Sequence, residues 1–293
     1  MDESPLKSIR RFNRLMTQRV GALEVDYLRR GRPLAEARLI FEISPDGVDV
    51  RALRSKLGLD SGYLSRLFQS LKKQGLIAVA KGVGDARRRR VSLTRKGAAE
   101  RATYDKLSDN LAASMLEPLD ASAQIRLLAA MGEVERLIRA GSVKVSFDRP
   151  DGADARRCLD AYFRELAARF ESGFDADEDA SASLADMTPP SGLFVIARLE
   201  GEAVGCGGFK RADKATGEIK RVWTAPSARG MGVARRMLRA LEAAAREAGV
   251  KTLRLDTNRA LIEAHALYRS EGYREIARFN DNPYADHWFE KRL

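Results

Sequence analysis

The sequence predicts two domains in tandem: a mostly helical half interrupted by one hairpin, then an α+β half in which strands and helices mix. Three observations carry this. Apolar residues recur at helical spacing through most of residues 5–139. After Gly141-Ser142 the pattern changes to alternation, beginning with Val143 to Phe147. The chain has 293 residues, enough for two cores, which places the domains at 1–141 and 142–293.

The first half reads element by element. Leu6, Ile9, Phe12, Leu15, Met16, Val20, Leu23 and Tyr27 predict a helical stretch over 5–30. Pro33 starts a second helix, Leu34 to Ile43, and Ser44 to Gly47 is a turn. Val50, Leu53 and Leu57 mark a short helix closed at Gly58. Asp60 caps a helix from Ser61 to Gln74, and Gly75 stops it. Leu76 to Ala80 and Arg90 to Leu93 form a hairpin with a Gly/Arg-rich tip. Thr94 caps a long helix to about Glu117, and a last helix runs to Arg139.

Charge is distributed unevenly. The net charge is +11, yet residues 48–97 hold 13 Lys/Arg against 3 Asp/Glu, so the excess is local. Such a patch suits a polyanion, because neutralised phosphates release counterions. Two cysteines, Cys158 and Cys206, share no motif, and two histidines are too few for a His-based metal centre. No metal is expected. The charged N-terminus and the lack of a long apolar run predict a cytoplasmic protein without a membrane partner.

Residues 48–74 read as helix–turn–helix. A recognition helix needs small and hydrogen-bonding residues in its first turns, where they meet base edges. Ser61, Gly62, Tyr63, Ser65 and Arg66 stand at that position, although an ordinary amphipathic surface helix would show the same spacing. At the hairpin tip, Arg87, Arg88 and Arg89 suit a minor groove or phosphates. Asp85-Ala86-Arg87, then Val91-Ser92-Leu93-Thr94 and Gly97, after a helix–turn–helix and Leu76-Ile77, resemble the MarR family of regulators. The resemblance covers about residues 5–140. It implies a winged helix–turn–helix, a homodimer held by the first and last helices of this half, and a pseudo-palindromic double-stranded DNA operator. It also implies that Asp85 and Arg87 shape the wing.

In the second half, Ile219, Val222 and Trp223 read as a strand, Arg229 to Ala234 as a glycine-bearing turn, and Val233 to Gly249 as a helix. Strand, glycine turn and helix N-terminus together make an anion site. The pattern Arg-x-x-Gly-x-(Gly/Ala) is weak alone. It recurs at Arg198 to Ala203, where strand-like runs on both sides predict only a hairpin turn. Lys251 to Thr257 reads as a strand ending at Asn258. A helix with Ala264, Leu267 and Tyr268 follows and stops at Glu271-Gly272, and Tyr273 opens another strand.

Arg229 to Ala234, Asn258 and Ala264-x-x-Leu267-Tyr268-x-x-x-Gly272-Tyr273 together resemble the GNAT acetyltransferases over about residues 143–293. The resemblance implies a mixed, twisted sheet that splays to admit the pantetheine arm of acetyl-CoA. The pyrophosphate would sit on the amides of Arg229, Gly230, Met231, Gly232, Val233 and Ala234, with charge from Arg229 and Arg235. Val222, Trp223 and Thr224 would pair with pantetheine, and Asn258 would hydrogen-bond nearby. Tyr268 would donate a proton to the departing thiolate; the alternative is a packed helix aromatic. Glu218, at the start of the strand, is the candidate base; the alternative is a solvent-facing strand end. Cys206 has no adjacent activating group and reads as buried and inert. The acidic run from Glu171 to Asp179 is either a lid that attracts a cationic amine or a solvated loop.

Three functions follow: a regulator that acetylates a small-molecule amine, a transcriptional sensor that binds acetyl-CoA or a metabolite without turnover, and a protein lysine acetyltransferase.

Overall fold

The computed structural model describes residues 4–44, 46–82, 85–171, 173–175 and 183–293. The side chains at 81, 82 and 85–88 lie outside that description, as do Val83-Gly84 at the hairpin tip and most of the acidic run. Two compact units form, Met1–Leu127 and Leu128–Leu293. No described helix is long and apolar enough to cross a membrane.

In the first unit α1 spans Pro5–Arg19, shorter than the spacing predicts. Gly21 turns the chain with φ +66°, and a single 3-10 turn, Tyr27–Arg29, follows. Tyr27 is instead drawn into the core, its ring stacked 6.2 Å from that of Tyr104. Helix α2 (Leu34–Glu42) leads to β1 (Val48–Asp49), a strand that the apolar pattern does not announce. Helix α3 (Val50–Leu57) closes at Gly58 with φ +63°. Helix α4 (Ser61–Lys73) starts where the Asp60 carboxylate accepts from the Tyr63 amide at 2.9 Å. Strands β2 (Ile77–Gly82) and β3 (Asp85–Leu93) form the hairpin, and β1 adds to it as Val48 opposite Val91. Leu53, Leu64, Leu71, Leu76 and Val91 are buried together beneath these elements.

Helix α5 (Arg95–Leu116) is capped by the Thr94 hydroxyl, which accepts from the Gly97 amide at 3.0 Å. Gly97 allows this helix to pass the end of β2. A Cβ built there would lie 1.9 Å from the Leu76 carbonyl oxygen. Gly97→Ala is therefore expected to destabilise the first unit by about 1–3 kcal/mol or more. Thermal melting of the full chain checks this, and an unshifted transition would refute the tight approach.

Helix α6 (Ala121–Gly141) runs across the division between the units. The second unit then builds on one seven-stranded sheet. Its strands are β4 (Lys144–Phe147), β5 (Gly192–Leu199), β6 (Glu202–Arg211), β7 (Thr216–Thr224), β8 (Thr252–Thr257), β9 (Arg274–Ile276) and β10 (His287–Arg292). The spatial order is β4-β5-β6-β7-β8-β10-β9. Among the described strands only β7 and β8 pair in parallel, so the sheet is mixed. Arg198 to Ala203 is the β5–β6 hairpin, with Glu200 and Gly201 both at positive φ.

Alternation along β5 assigns its two faces. Val195 and Ala197 join the core of α8 (Val233–Glu247), whose Met237, Leu238 and Leu241 are fully buried. Phe194 and Ile196 join Cys158 and Leu159 of α7 (Ala153–Arg169) on the other face. Burial of each such leucine contributes roughly 1.5–3 kcal/mol. Helix α9 (Ile262–Ser270) carries Tyr268 onto the first of these cores.

Candidate active site and nucleic-acid interface

Strands β7 and β8 separate inside the sheet. They pair at Thr216 with Thr252, Gly217 with Leu253 and Glu218 with Arg254, and no further. Just beyond, Arg221 adopts φ +57°, a conformation a non-glycine residue rarely holds. On their outer sides both strands stay paired, to Thr224 on β7 and to Thr257 on β8. A wedge thus opens between two strands that the rest of the sheet holds in place. The edge of β7 at Val222, Trp223 and Thr224 faces it with backbone groups that β8 does not engage.

The wedge leads into a cleft of about 430 Å³. Its walls include Val222, Trp223, Thr224, Arg229, Gly230 and Gly232, and then Val233, Ala234 and Arg235. Tyr268 closes its inner end. Gly230 and Gly232 sit at φ +76° and +70°, which turns the chain sharply into α8. Gly232 caps α8 without a side chain, so the amides of Val233, Ala234 and Arg235 open the helix as donors with no intrahelical partner. This is an anion cradle. The buried Thr224 hydroxyl also has no hydrogen-bond partner among the described residues. Orphan donors at one end and an orphan hydroxyl along the wall fit a long ligand with a phosphate end and a polar arm.

Several expected residues stand elsewhere or are already engaged. Met231 is buried behind the turn and does not line the cleft. Arg229 is gripped by Glu165 of α7 at 2.5 Å, and the Trp223 indole N–H donates to the same carboxylate at 2.9 Å. Burial opposes ionisation of Glu165, but hydrogen bonds from Trp223 and Arg169, with the charge of Arg229, hold its carboxyl below the usual range. Arg235 pairs with Glu271 at 2.7 Å. Asn258 lines a second cavity; its amide donates to the Tyr284 carbonyl and its oxygen accepts from the Ala260 amide.

Glu218 is displaced from the expected role. It borders neither cavity and faces Lys220 at 3.2 Å and Lys210 at 3.6 Å. It lies on the part of β7 that still pairs with β8, before the strands part. Cys206 is fully buried, where desolvation pushes its thiol pKa up, and it donates to the Arg221 carbonyl. It packs in the same cluster as Cys158, a proximity that no motif in the sequence announces.

The second cavity, about 70 Å³, meets the cleft at Tyr268 and Val222. Lys220 and Asp256 lie at its floor, 2.5 Å apart and both almost fully buried. Burial alone would raise the Asp256 carboxyl. The Lys220 charge outweighs it, helped by hydrogen bonds from Lys220, Asn280 and Asn282, so its pKa is lowered. Tyr268 is buried, and desolvation, then the charge of Asp256, pushes its pKa up. It therefore keeps its proton. No group of three or more His, Cys, Asp or Glu among the described residues could hold a metal.

In the first unit Ser61, Gly62, Ser65 and Arg66 are exposed on the opening turns of α4, and Tyr63 is half-buried with Arg66 over its ring at 5.7 Å. The exposed Arg89 of β3 borders a hollow with Arg51, Arg54, Ser61 and Ser65. Arg51 and Arg54 carry no signal in the sequence, since helical spacing marks only the apolar face of α3. Arg90 braces the hairpin by donating to the carbonyls of Asp46 and Gly47. Asp85, Arg87 and Arg88 lie on β3 by backbone, with side chains outside the described set.

The Acetyltransferase (GNAT) family model matches residues 158–273. An IAA acetyltransferase of Azospirillum brasilense is 33% identical over 122 residues, 41% of this chain and 75% of the relative. The chain belongs to the GNAT acetyltransferase family. A MarR family model matches residues 30–88, so a MarR domain precedes the GNAT domain. Two solved structures also align. One is a candidate acyl-CoA N-acyltransferase of Klebsiella pneumoniae, with 30% identity, 52% of this chain, 97% of that chain and a TM-score of 0.42. The other is a GNAT-family acetyltransferase of Staphylococcus aureus, with 18% identity, 52% and 99% coverage and a TM-score of 0.45. The GNAT domain is an acetyl-CoA-dependent N-acetyltransferase.

Proposed function

We propose that the protein is a DNA-binding regulator that also acetylates the amine of a small molecule. The observation that carries this is the second cavity. It is compact, recessed behind the cleft and joined to it at Tyr268, which suits a small acceptor better than a protein lysine. Acetyl-CoA supplies an activated acyl thioester. The cradle at Val233 to Arg235 holds the pyrophosphate, and the β7 edge at Val222 to Thr224 orients the pantetheine arm. The neutral amine forms a bond to the acyl carbon as the carbon–sulfur bond breaks. The sulfur departs with the electron pair and takes a proton from Tyr268, while the nitrogen gives its proton to water, from which the Tyr268 phenolate is reprotonated.

Residues 1–141 form the DNA-binding and dimerisation domain, and 142–293 the catalytic domain. The exposed apolar residues Leu6, Ile9, Phe12 and Leu15 on α1 support a homodimer through the N-terminal half. Ser61 to Arg66 read an operator, which the protein meets in the cytoplasm. A sensor without turnover is the second reading. It is favoured by the grip of Glu165 on Arg229 and by the position of Glu218 away from both cavities.

The deciding experiment is free-thiol release from acetyl-CoA with amino acids, polyamines and aminoglycosides as acceptors. Acceptor-dependent release supports the enzyme; coenzyme binding by calorimetry with no release favours the sensor. For the DNA domain, Arg66→Ala is expected to weaken operator binding by about 10-fold or more at fixed salt, with acetyl-CoA binding unchanged. Joint loss of both in a folded variant would refute separable domains.

A further inference from the structure

We infer that Glu165 is a latch on the coenzyme cleft: it holds Arg229 across the edge of β7, and acetyl-CoA binds by taking Arg229 from it with the pyrophosphate. This rests on the phosphate cradle proposed above and holds for the enzyme and the sensor alike. Charged side chains of alternating sign run along the cleft wall. Arg229, in the turn before α8, donates to one oxygen of Glu165 on α7 at 2.5 Å. The other oxygen accepts from Arg169 at 3.2 Å. Arg169, at the end of α7, also donates to Glu263 in the first turn of α9 at 2.9 Å and to the Ala260 carbonyl just before it at 2.6 Å. Arg229, Glu165, Arg169 and Glu263 all line the cleft, so the row joins the coenzyme turn to α9 through α7.

The position of Arg229 decides what the row does. Its Nε donates to the Thr224 carbonyl at 3.2 Å. The Ala225 amide donates to the Val204 carbonyl of β6 at 2.8 Å, so Thr224, one residue earlier, turns its carbonyl to the opposite edge, toward the wedge. That carbonyl belongs to the edge that orients the pantetheine arm in the reading above. Arg229 therefore covers an acceptor that the arm would use, while its charge is engaged by Glu165 and not by a phosphate.

Glu165 stays anchored when Arg229 leaves, by the Trp223 indole N–H at 2.9 Å and by Arg169. Release thus strands no buried charge, and a phosphate offers the freed guanidinium a bidentate partner. A ligand that binds only the released form has its affinity reduced by the fraction of molecules in that form. Glu165 sets that fraction.

The test is calorimetric binding of acetyl-CoA to the full chain as wild type, Glu165→Gln, Glu165→Asp, Arg229→Gln and the double variant Glu165→Gln/Arg229→Gln. Glu165→Gln is expected to tighten binding about 3- to 10-fold, the range left for a charged hydrogen bond to the half-exposed Arg229 after solvent screening. Glu165→Asp keeps the charge on the wall but shortens its reach, and is expected to give part of the gain. Arg229→Gln is expected to weaken binding. Adding Glu165→Gln to it should then change Kd by less than about 2-fold, because the latch has nothing left to hold. A gain that persists in the Arg229→Gln background and is absent in Glu165→Asp would mean plain repulsion of phosphates by a negative wall, and would overturn the inference. Unchanged or weaker binding in Glu165→Gln would also overturn it, since a residue that merely positions Arg229 for the phosphate gives that result. If the glutamine variants do not fold, Glu165→Asp decides alone: tighter binding supports the latch, and no gain overturns it. Wild-type protein that binds no acetyl-CoA would overturn the cradle and the latch together.

Discussion

Tyr268→Phe is expected to lower kcat by about 10²- to 10⁴-fold, the range that a positioned general acid supplies, while the Kd for acetyl-CoA stays the same. The reason is local. Tyr268 stands where the cleft and the second cavity meet, on a helix whose inner face is buried in the core. Desolvation, then the nearby Asp256 charge, disfavours the phenolate. The hydroxyl thus keeps its proton beyond the ordinary tyrosine range near 10 and offers it to a sulfur anion. Phenylalanine keeps the ring packing against Tyr273 and Phe289 and deletes only the donor. Stopped-flow or steady-state rates with calorimetric Kd values separate the two effects. Turnover within a few-fold of wild type would remove Tyr268 from the chemistry.

The second large effect is on stability. Lys220→Met removes the ammonium from an ion pair whose side chains are 5% and 6% exposed. It leaves the Asp256 carboxylate buried with only the Asn280 and Asn282 amides. Breaking a buried pair on one side costs about 3–5 kcal/mol. For a unit of this size that corresponds to a fall in Tm of roughly 10 °C. Asp256→Asn should cost less, because Lys220 still faces Glu218 at 3.2 Å.

The pH dependence has a definite sign. In the wild type the Asp256 pKa is depressed, so its contribution is present above the unfolded value near 3.9 and is lost as pH falls through the folded one. In Lys220→Met burial dominates and raises the folded pKa, so acid relieves the variant. The gap in Tm between the two proteins should narrow on acidification toward pH 4. A gap that widens, or a variant as stable as wild type at neutral pH, would show that the pair is not buried in solution.

What the sequence determined by itself was local. Asp60, Thr94, Gly58 and Gly75 announce helix ends because capping and left-handed turns depend on single residues and their neighbours. The turn Arg229 to Ala234 was legible for the same reason: two glycines between a strand and a helix make a cradle whatever surrounds them. The helix expected over 5–30 failed because apolar spacing cannot distinguish one long helix from a helix followed by a turn that buries Tyr27.

The tertiary structure decided whatever depends on distant segments meeting. Glu218 and Lys220 are two residues apart, yet only the parting of β7 from β8 sets one aside and makes the other part of the cavity floor. Glu165 reaches Arg229 across 64 positions, and Lys220 reaches Asp256 across 36. The strand β1, the hollow beside Arg51 and Arg54, and the meeting of Cys158 with Cys206 belong to the same class. Single residues set backbone preference, so it reads along the chain. Charge pairing and burial are properties of segments brought together by packing, and only the fold brings them together.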